Sequence, residues 1–413
     1  MSNQIRWANA LSTRPSLEAA IEEVVERTEQ SLQASADLGL LFISSAFASE
    51  YTRLMPLLQE RLSIKALIGC SGSGVVGMSR YGEAQEVEGQ PGLSLTLLHL
   101  PEVKVQTFNL LPENLPDLDS SPDTWVNLIG VSPETRPQFI IFSDPFLSGI
   151  NDLLEGLDYA YPGAIKLGGL ASGGNIRGNI ALFCNYEIHR EGTVGVALSG
   201  NIILETIVAQ GCRPIGETYR VTQGERNIVL ELEEQSSNGF GNDNSRPPLE
   251  VLRDLLQGLS DTDRLLAQNS LFVGVARDEF KQELQHGDFL IRNLLGVDPK
   301  AGAIAIGDRV RPGQRIKFHL RDAEASADDL EMMLKRYLQQ TPADADAIGA
   351  LMFSCVGRGE GLYGRPNFDS QMFRRYIKNA PLSGFFCNGE IGPVGGSTFL
   401  HGYTSVFGIC RQP

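Results

Sequence analysis

Long apolar runs are missing from this chain. The longest, around Leu38 to Ala48, is broken by two serines and falls short of the ~18 residues that a helical bilayer crossing needs. The N-terminus has no basic patch followed by an apolar core and moves directly into an acidic amphipathic pattern, which excludes a secretory leader and predicts a cytoplasmic protein. Positive charge is scarce: 35 Lys and Arg stand against 50 Asp and Glu, a net charge of -15 that disfavours contact with phosphate backbones or anionic lipid. Neither nucleic acid nor a membrane is expected as a partner.

Chemistry-bearing motifs are also sparse. The five histidines (His99, His189, His286, His319, His401) include no close pair, so no metal site is expected. The six cysteines (Cys70, Cys184, Cys212, Cys355, Cys387, Cys410) form no C-x-x-C pair and read as reduced, mostly buried thiols. There is no G-x-x-x-x-G-K-[ST] loop, no H-E-x-x-H and no intact G-x-S-x-G elbow. Gly72-Ser73-Gly74-Val75-Val76-Gly77 does fit G-x-G-x-x-G. However, Gly82, Gly89, Pro91 and Gly92 follow it where a dinucleotide fold needs a long helix. No cofactor is expected, and the pattern argues for binding rather than catalysis.

What remains is an ordinary globular composition, 42% hydrophobic and 21% charged over 413 residues, enough for two or three domains. Leu17, Ala20, Ile21, Val24, Val25, Thr28 and Leu32 recur at helical spacing behind Ser16, which predicts a capped amphipathic helix to about Ser35. A strand (Leu40 to Ser44), a helix marked by Leu54, Leu57, Leu58 and Leu62, and a strand from Ile64 then lead into Gly69-Cys70-Ser71-Gly72-Ser73-Gly74. The same order recurs from Phe139 through Leu147–Leu157 to Gly168-Gly169-Leu170-Ala171-Ser172-Gly173-Gly174. It recurs again from Ala350 through a helix near Ser370–Lys378 to Gly384-Phe385-Phe386-Cys387-Asn388-Gly389-Glu390. Ser44 to Cys70 and Ser143 to Gly169 are each 26 positions (70 − 44; 169 − 143), and Ser354 to Cys387 is 33 (387 − 354). Strand-like pieces follow each glycine-rich segment, which predicts added antiparallel pairing and an α+β fold with internal duplication.

A polar segment, Glu233 to Pro248, reads as a linker or long surface loop between two domains, 1–232 and 249–413. Glycine-rich turns at strand ends expose backbone N–H groups and small polar side chains, a cradle suited to an anion or zwitterion. Such turns equally serve tight geometry alone. The candidate binding residues in and beside them are Cys70, Ser71, Gly72, Ser143, Asp144, Gly169 and Ser172, with Cys355, Arg358, Cys387, Asn388, Glu390, His401 and Thr404 forming the densest, C-terminal cluster. Arg213, between Cys212 and Pro214, suits either bidentate anion binding or a structural ion pair. A zwitterionic ligand would set Arg213 or Arg358 against its anionic group and Glu390 against its cationic one. Alternatives from other classes are a thiol enzyme or acyl carrier using Cys387 or Cys355 with His401 as base, and a protein-interaction scaffold.

Several of these segments carry a family resemblance. Leu67-Ile68-Gly69-Cys70-Ser71-Gly72, Phe142-Ser143-Asp144, Gly168 to Gly173 and Gly211-Cys212-Arg213-Pro214-Ile215-Gly216 resemble the FIST N-terminal domain. Gly384 to Pro393, with Leu400-His401-Gly402-Tyr403-Thr404, resembles the end of its C-terminal partner. The resemblance implies an intracellular sensory module that binds a small ligand such as an amino acid and passes a signal to a protein partner or through self-association.

Overall fold

The computed structural model describes residues 4–147, 149–174, 176, 178–235, 244–279, 281–284, 287–342 and 346–413. The chain forms two compact units, one made of Met1–Ala209 with Leu330–Pro413 and the other of Gln210–Asp329.

The first unit is a threefold repeat. Its first copy runs β1 (Arg6–Ser12), α1 (Leu17–Leu32), β2 (Leu38–Ser44), α2 (Tyr51–Gln59), β3 (Leu67–Gly72), β4 (Gly74–Met78), β5 (Ala84–Glu88) and β6 (Leu93–His99). The second runs β7 (Val103–Leu110), α3 (Pro122–Ile129), β8 (Gln138–Ser143), α4 (Ile150–Ala160), β9 (Lys166–Leu170), β10 (Leu182–Cys184), β11 (Glu187–His189) and β12 (Thr193–Gly200). The third opens with β13 (Ile203–Ala209) and is then interrupted. The interruption holds β14 (Arg213–Glu225), β15 (Ile228–Glu234), α5 (Pro248–Gly258), α6 (Asp261–Ala267), β16 (Leu271–Ala276), β17 (Phe289–Asp298), β18 (Ala303–Ile306) and β19 (Arg315–Leu320). The third copy resumes with α7 (Ala323–Gln340), β20 (Gly349–Cys355), α8 (Glu360–Tyr363), α9 (Phe368–Tyr376), β21 (Leu382–Cys387), β22 (Glu390–Val394), β23 (Ser397–His401) and β24 (Ser405–Arg411).

Each copy builds one six-stranded sheet of the same topology, with orders β1-β6-β2-β3-β10-β11, β7-β12-β8-β9-β22-β23 and β13-β24-β20-β21-β4-β5. Only the central pair of each is parallel. The closing hairpin always comes from another copy, and the exchange is cyclic: the first copy lends β4–β5 to the third, the third lends β22–β23 to the second, and the second lends β10–β11 to the first.

The central strands are buried on both faces, and successive residues point to opposite sides of the sheet, as a two-residue period requires. One face of each sheet, including Leu40, Phe42, Ile140, Phe142, Leu351 and Phe353, meets the others in a common core. The opposite faces lie under their own helices: α1 and α2, α3 and α4, and α7 with α9. The equivalent Phe42, Phe142 and Phe353 touch edge to face, with centroids 5.3, 6.4 and 5.9 Å apart, at the point where the three copies meet.

One expectation is corrected here, and the compact units divide the chain at other places than the expected domains. The glycine-rich segments Gly69–Gly72, Gly168–Leu170 and Gly384–Cys387 are strand, not turn; only the residues just after them leave the sheet. Their glycines serve close approach. A Cβ at Gly69, Gly168 or Gly384 would run into the carbonyl oxygen of Leu41, Ile141 or Met352 on the adjacent parallel strand. The domain division also differs. Segment 233–248 joins β15 to α5 within the second unit and separates no compact units; its residues 236–243 lie outside the described residues. The third repeat copy belongs with the first two because its sheet needs their strand β4–β5 hairpin to be complete.

The second unit is a closed six-stranded barrel, β14-β15-β18-β17-β16-β19. Val221, Val273, Ile304 and Phe318 fill its core together with Val251 and Leu252 of α5. With its mixture of helices and largely antiparallel sheets, the chain has an α+β fold.

Candidate functional site

The three chain segments that leave the parallel pairs converge. The Ser71 hydroxyl donates to the Ser172 carbonyl (3.2 Å), the Ser73 N–H donates to the Ser172 hydroxyl (2.8 Å), and that hydroxyl donates to the Phe386 carbonyl. The Asn388 N–H reaches the Leu170 carbonyl at 3.0 Å, and the Leu170 N–H reaches the Gly389 carbonyl at 2.8 Å. One residue or carbonyl from each copy therefore takes part in a single network. Sequence reading had grouped these segments by composition; the cyclic hairpin exchange is what brings them together.

At this junction a few exposed residues lie above a buried interior that holds polar side chains. Asn388 and Gly173 are exposed and Ser73 is half-buried, while Cys70, Ser71, Gly72, Gly169, Ser172, Cys387, Glu390, His401 and Thr404 are all buried. Gly169 pairs with Glu390 across the exchanged hairpin, and Glu390 pairs with His401. A Glu390 oxygen accepts the Thr404 N–H at 3.1 Å, the Thr404 carbonyl accepts the Cys355 N–H at 3.0 Å, and His401 Nε2 donates to the Gly392 carbonyl at 3.0 Å. Ser143 and Asp144 sit at the equivalent end of β8. Ser143 shares a hydrogen bond with Thr193 (2.7 Å), and an Asp144 oxygen accepts the Phe146 N–H (2.9 Å).

Strand register makes the singularity of Glu390 visible. Its neighbour across the hairpin, Gly169, is level with Phe142; the residues in the same place opposite Cys70 and Phe385 are Leu182 and Val75. Two copies fill this position with an apolar side chain, whereas the third carries a fully buried carboxylate. Such burial is unfavourable unless hydrogen bonds or charge offset it.

The two arginines are committed elsewhere, against the expectation that one faces a ligand. Arg358 is fully buried and forks onto Asp369, with Nε at 2.7 Å and one terminal nitrogen at 3.0 Å, while also donating to the Tyr363 hydroxyl at 2.5 Å. Arg213 lies in the second unit and pairs with Asp263 and, at 3.2 Å, with Asp322. Both are structural ion pairs, the bidentate one being the stronger kind.

Nor are the thiols set up as nucleophiles. Cys355 and Cys387 are Cα partners on adjacent strands and both are buried. Burial pushes the Cys387 thiol well up, and the nearby Glu390 carboxylate adds to the shift, so the reactive thiolate is disfavoured. Cys70 is likewise raised by burial.

Sequence reading passed over three buried charged groups, Asp369 and Glu86 beside one another and Lys166 at the far end of β9. Asp369 anchors Arg358. Glu86, on the hairpin lent to the third copy, is buried with one oxygen 2.7 Å from the Ser370 N–H, and burial together with the Asp369 charge pushes its acid up to about 8. Lys166 is buried against Asp158 (2.7 Å) and the carbonyls of Tyr161 and Ala164. The alternation of Ala84-Gln85-Glu86-Val87-Glu88 gives no sign that Glu86 faces inward, because the strand's partners are distant in sequence.

The model of the FIST N domain matches residues 37–235 and that of the FIST C domain matches residues 248–393. An uncharacterized protein of Mycobacterium tuberculosis is 32% identical over 402 residues, covering 97% of this chain and 98% of its own length. An uncharacterized protein of Mycobacterium bovis is 31% identical over 394 residues, 95% of each chain. An F-box/LRR-repeat protein of Arabidopsis thaliana is 26% identical over 236 residues, 51% of this chain and 43% of the relative. The matched boundary at 235–248 falls inside the second compact unit, so the family halves and the compact units do not coincide. By both domain matches and by end-to-end similarity to its bacterial relatives, the chain belongs to the FIST family.

Proposed function

We propose that this protein is a cytoplasmic sensor that binds a small metabolite, an amino acid or a close analogue, and acts in signal transduction through a protein partner. FIST domains are linked to signal transduction and small-ligand sensing. The ligand is received where the three copies converge, at the rim formed by Ser73, Gly173 and Asn388, above the buried Glu390. The observation that carries this reading is the carboxylate itself: the other two copies place Val75 and Leu182 in the same register, so packing alone does not call for Glu390. A carboxylate beneath a rim of small polar side chains suits a ligand bearing an ammonium group. The rival thiol-enzyme reading is disfavoured by the burial of Cys387 and Cys355.

Native mass spectrometry of the purified chain, followed by calorimetric titration with the amino acids and with whatever co-purifies, tests the reading. Glu390→Gln is expected to weaken binding by about 1.5 to 3 kcal/mol, the worth of a charge-assisted hydrogen bond, with the melting temperature preserved. Unchanged affinity in that variant, or failure of every amino acid and co-purified molecule to bind, would overturn it.

A further inference from the structure

At the opposite end of the second copy's sheet, between the segments entering β8 and β9, lies a cleft of about 430 Å³. That volume is in the range of ordinary small-ligand sites. Its walls are mainly Pro133, Pro137, Pro162, Ala164 and Ile165, and its one charged lining residue is Arg136. Arg136 is exposed, is held in a left-handed conformation (φ 49°) with its N–H on the Pro133 carbonyl at 2.9 Å, and has no ion-pair partner among the described residues.

Two features make this a formed cavity. The carbonyls of Tyr161 and Ala164 are held from behind by the buried Lys166 ammonium at 3.2 and 3.1 Å, which leaves the proline rings and aliphatic groups as the wall. Proline-rich walls also lose little conformational freedom when a ligand docks. The second feature is the contrast with the first copy. There the tip of the lent hairpin carries Tyr186, whose hydroxyl takes the Ile64 N–H (3.0 Å) and donates to the Leu62 carbonyl (2.8 Å), closing the connection into β3. In the second copy the tip of the lent hairpin is Gly395-Gly396, which brings no side chain to the equivalent connection.

We propose that this cleft is a second binding site, separate from the junction of the three copies, for an organic anion with an apolar body: an aryl or branched aliphatic carboxylate. The apolar part lies against the prolines, Ala164 and Ile165, and the carboxylate pairs with the Arg136 guanidinium in the bidentate manner that arginine favours.

Saturation-transfer difference NMR on the full chain, with phenylacetate as probe and phenylacetamide as its uncharged counterpart, tests this. Phenylacetate is expected to bind and to outcompete the amide. Arg136→Gln is expected to weaken phenylacetate about tenfold or more, as loss of a charged hydrogen-bond partner does, and to leave the amide unchanged. Ala164→Trp, which fills the cleft, is expected to abolish binding of both with an unaltered melting temperature. Equal binding of acid and amide, an Arg136→Gln variant with wild-type affinity, or no binding of phenylacetate would each overturn the proposal. Because Glu390 takes no part, Glu390→Gln serves as a control that separates this site from the other.

Discussion

The third repeat copy and the first two have one topology but different interiors. All three place a phenylalanine at the meeting point and a glycine where parallel strands crowd a carbonyl. Where the first two close with Val75 and Leu182, the third has Glu390; where the hairpins lent by the second and third copies carry Ile188 and Leu400, the one lent to the third carries Glu86. Among the described residues, the third copy alone holds a forked, fully buried pair, Arg358–Asp369. The shared positions identify what the architecture requires, and the departures identify what it merely tolerates. Burying an ionisable group is costly, so the positions that are apolar in two copies and charged in the third are where the copies are best compared by experiment.

The largest effects should come from breaking what the copies share. Phe42→Ala, Phe142→Ala and Phe353→Ala are each expected to lower stability by about 3 to 5 kcal/mol, the range for removing a buried aromatic ring. Urea titration checks this. Similar losses at all three positions would establish that the copies contribute alike, whereas one small loss would break the equivalence at that copy.

A smaller effect tests the difference at Glu86. Its acid is raised in the folded protein from 4.5 to about 8, chiefly by burial and then by the Asp369 charge, with the Ser370 N–H opposing. A carboxyl whose folded value is raised favours the folded state fully at pH below 4.5, and that contribution is lost as pH rises toward 8. Between pH 5.5 and 9, thermal melts should therefore show Glu86→Gln gaining on the wild type by on the order of a few kcal/mol. A pH-independent difference between the two proteins would mean that Glu86 does not titrate in this window.

The smallest change is expected where the third copy is made to resemble the others. Glu390→Leu should leave stability within about 1 kcal/mol of the wild type or raise it, because well-packed apolar replacements of buried charges are often neutral or stabilising. Ligand binding should be lost in the same variant. The converse substitution, Val75→Glu, places an uncompensated acid in a site built for a methyl group, and denaturation should show a clear loss. If Glu390→Leu instead melts far below wild type, Glu390 is part of the framework and the contrast between the copies loses its functional meaning.

Much of the local structure was legible in the residues. Ser16 caps α1 by accepting the Ala19 N–H at 3.2 Å, and the buried stripe of that helix is the one its spacing marks out. The recurrence of strand, helix and strand was also visible, since each unit is built from contacts near in sequence. Some readings failed where distant partners decide. Gly69, Gly168 and Gly384 read as turn residues because glycine permits a turn, yet they lie in strands whose neighbours allow no Cβ. Arg213 stayed open between anion binding and an ion pair, and either Arg213 or Arg358 was set against an anionic ligand group, because nothing in the local sequence reveals Asp263, Asp322 or Asp369 as their partners.

The sequence by itself determined the α+β elements, the repeated grammar and the family, because periodicity, caps and short motifs are written locally. Only the tertiary structure decided that the three copies lend hairpins in a ring, that the barrel interrupts the third copy, and that Glu390 occupies an otherwise apolar position. Those facts rest on pairings such as Glu390 with Gly169, more than two hundred residues away, where backbone hydrogen bonds and sheet burial, not local preference, select the neighbour.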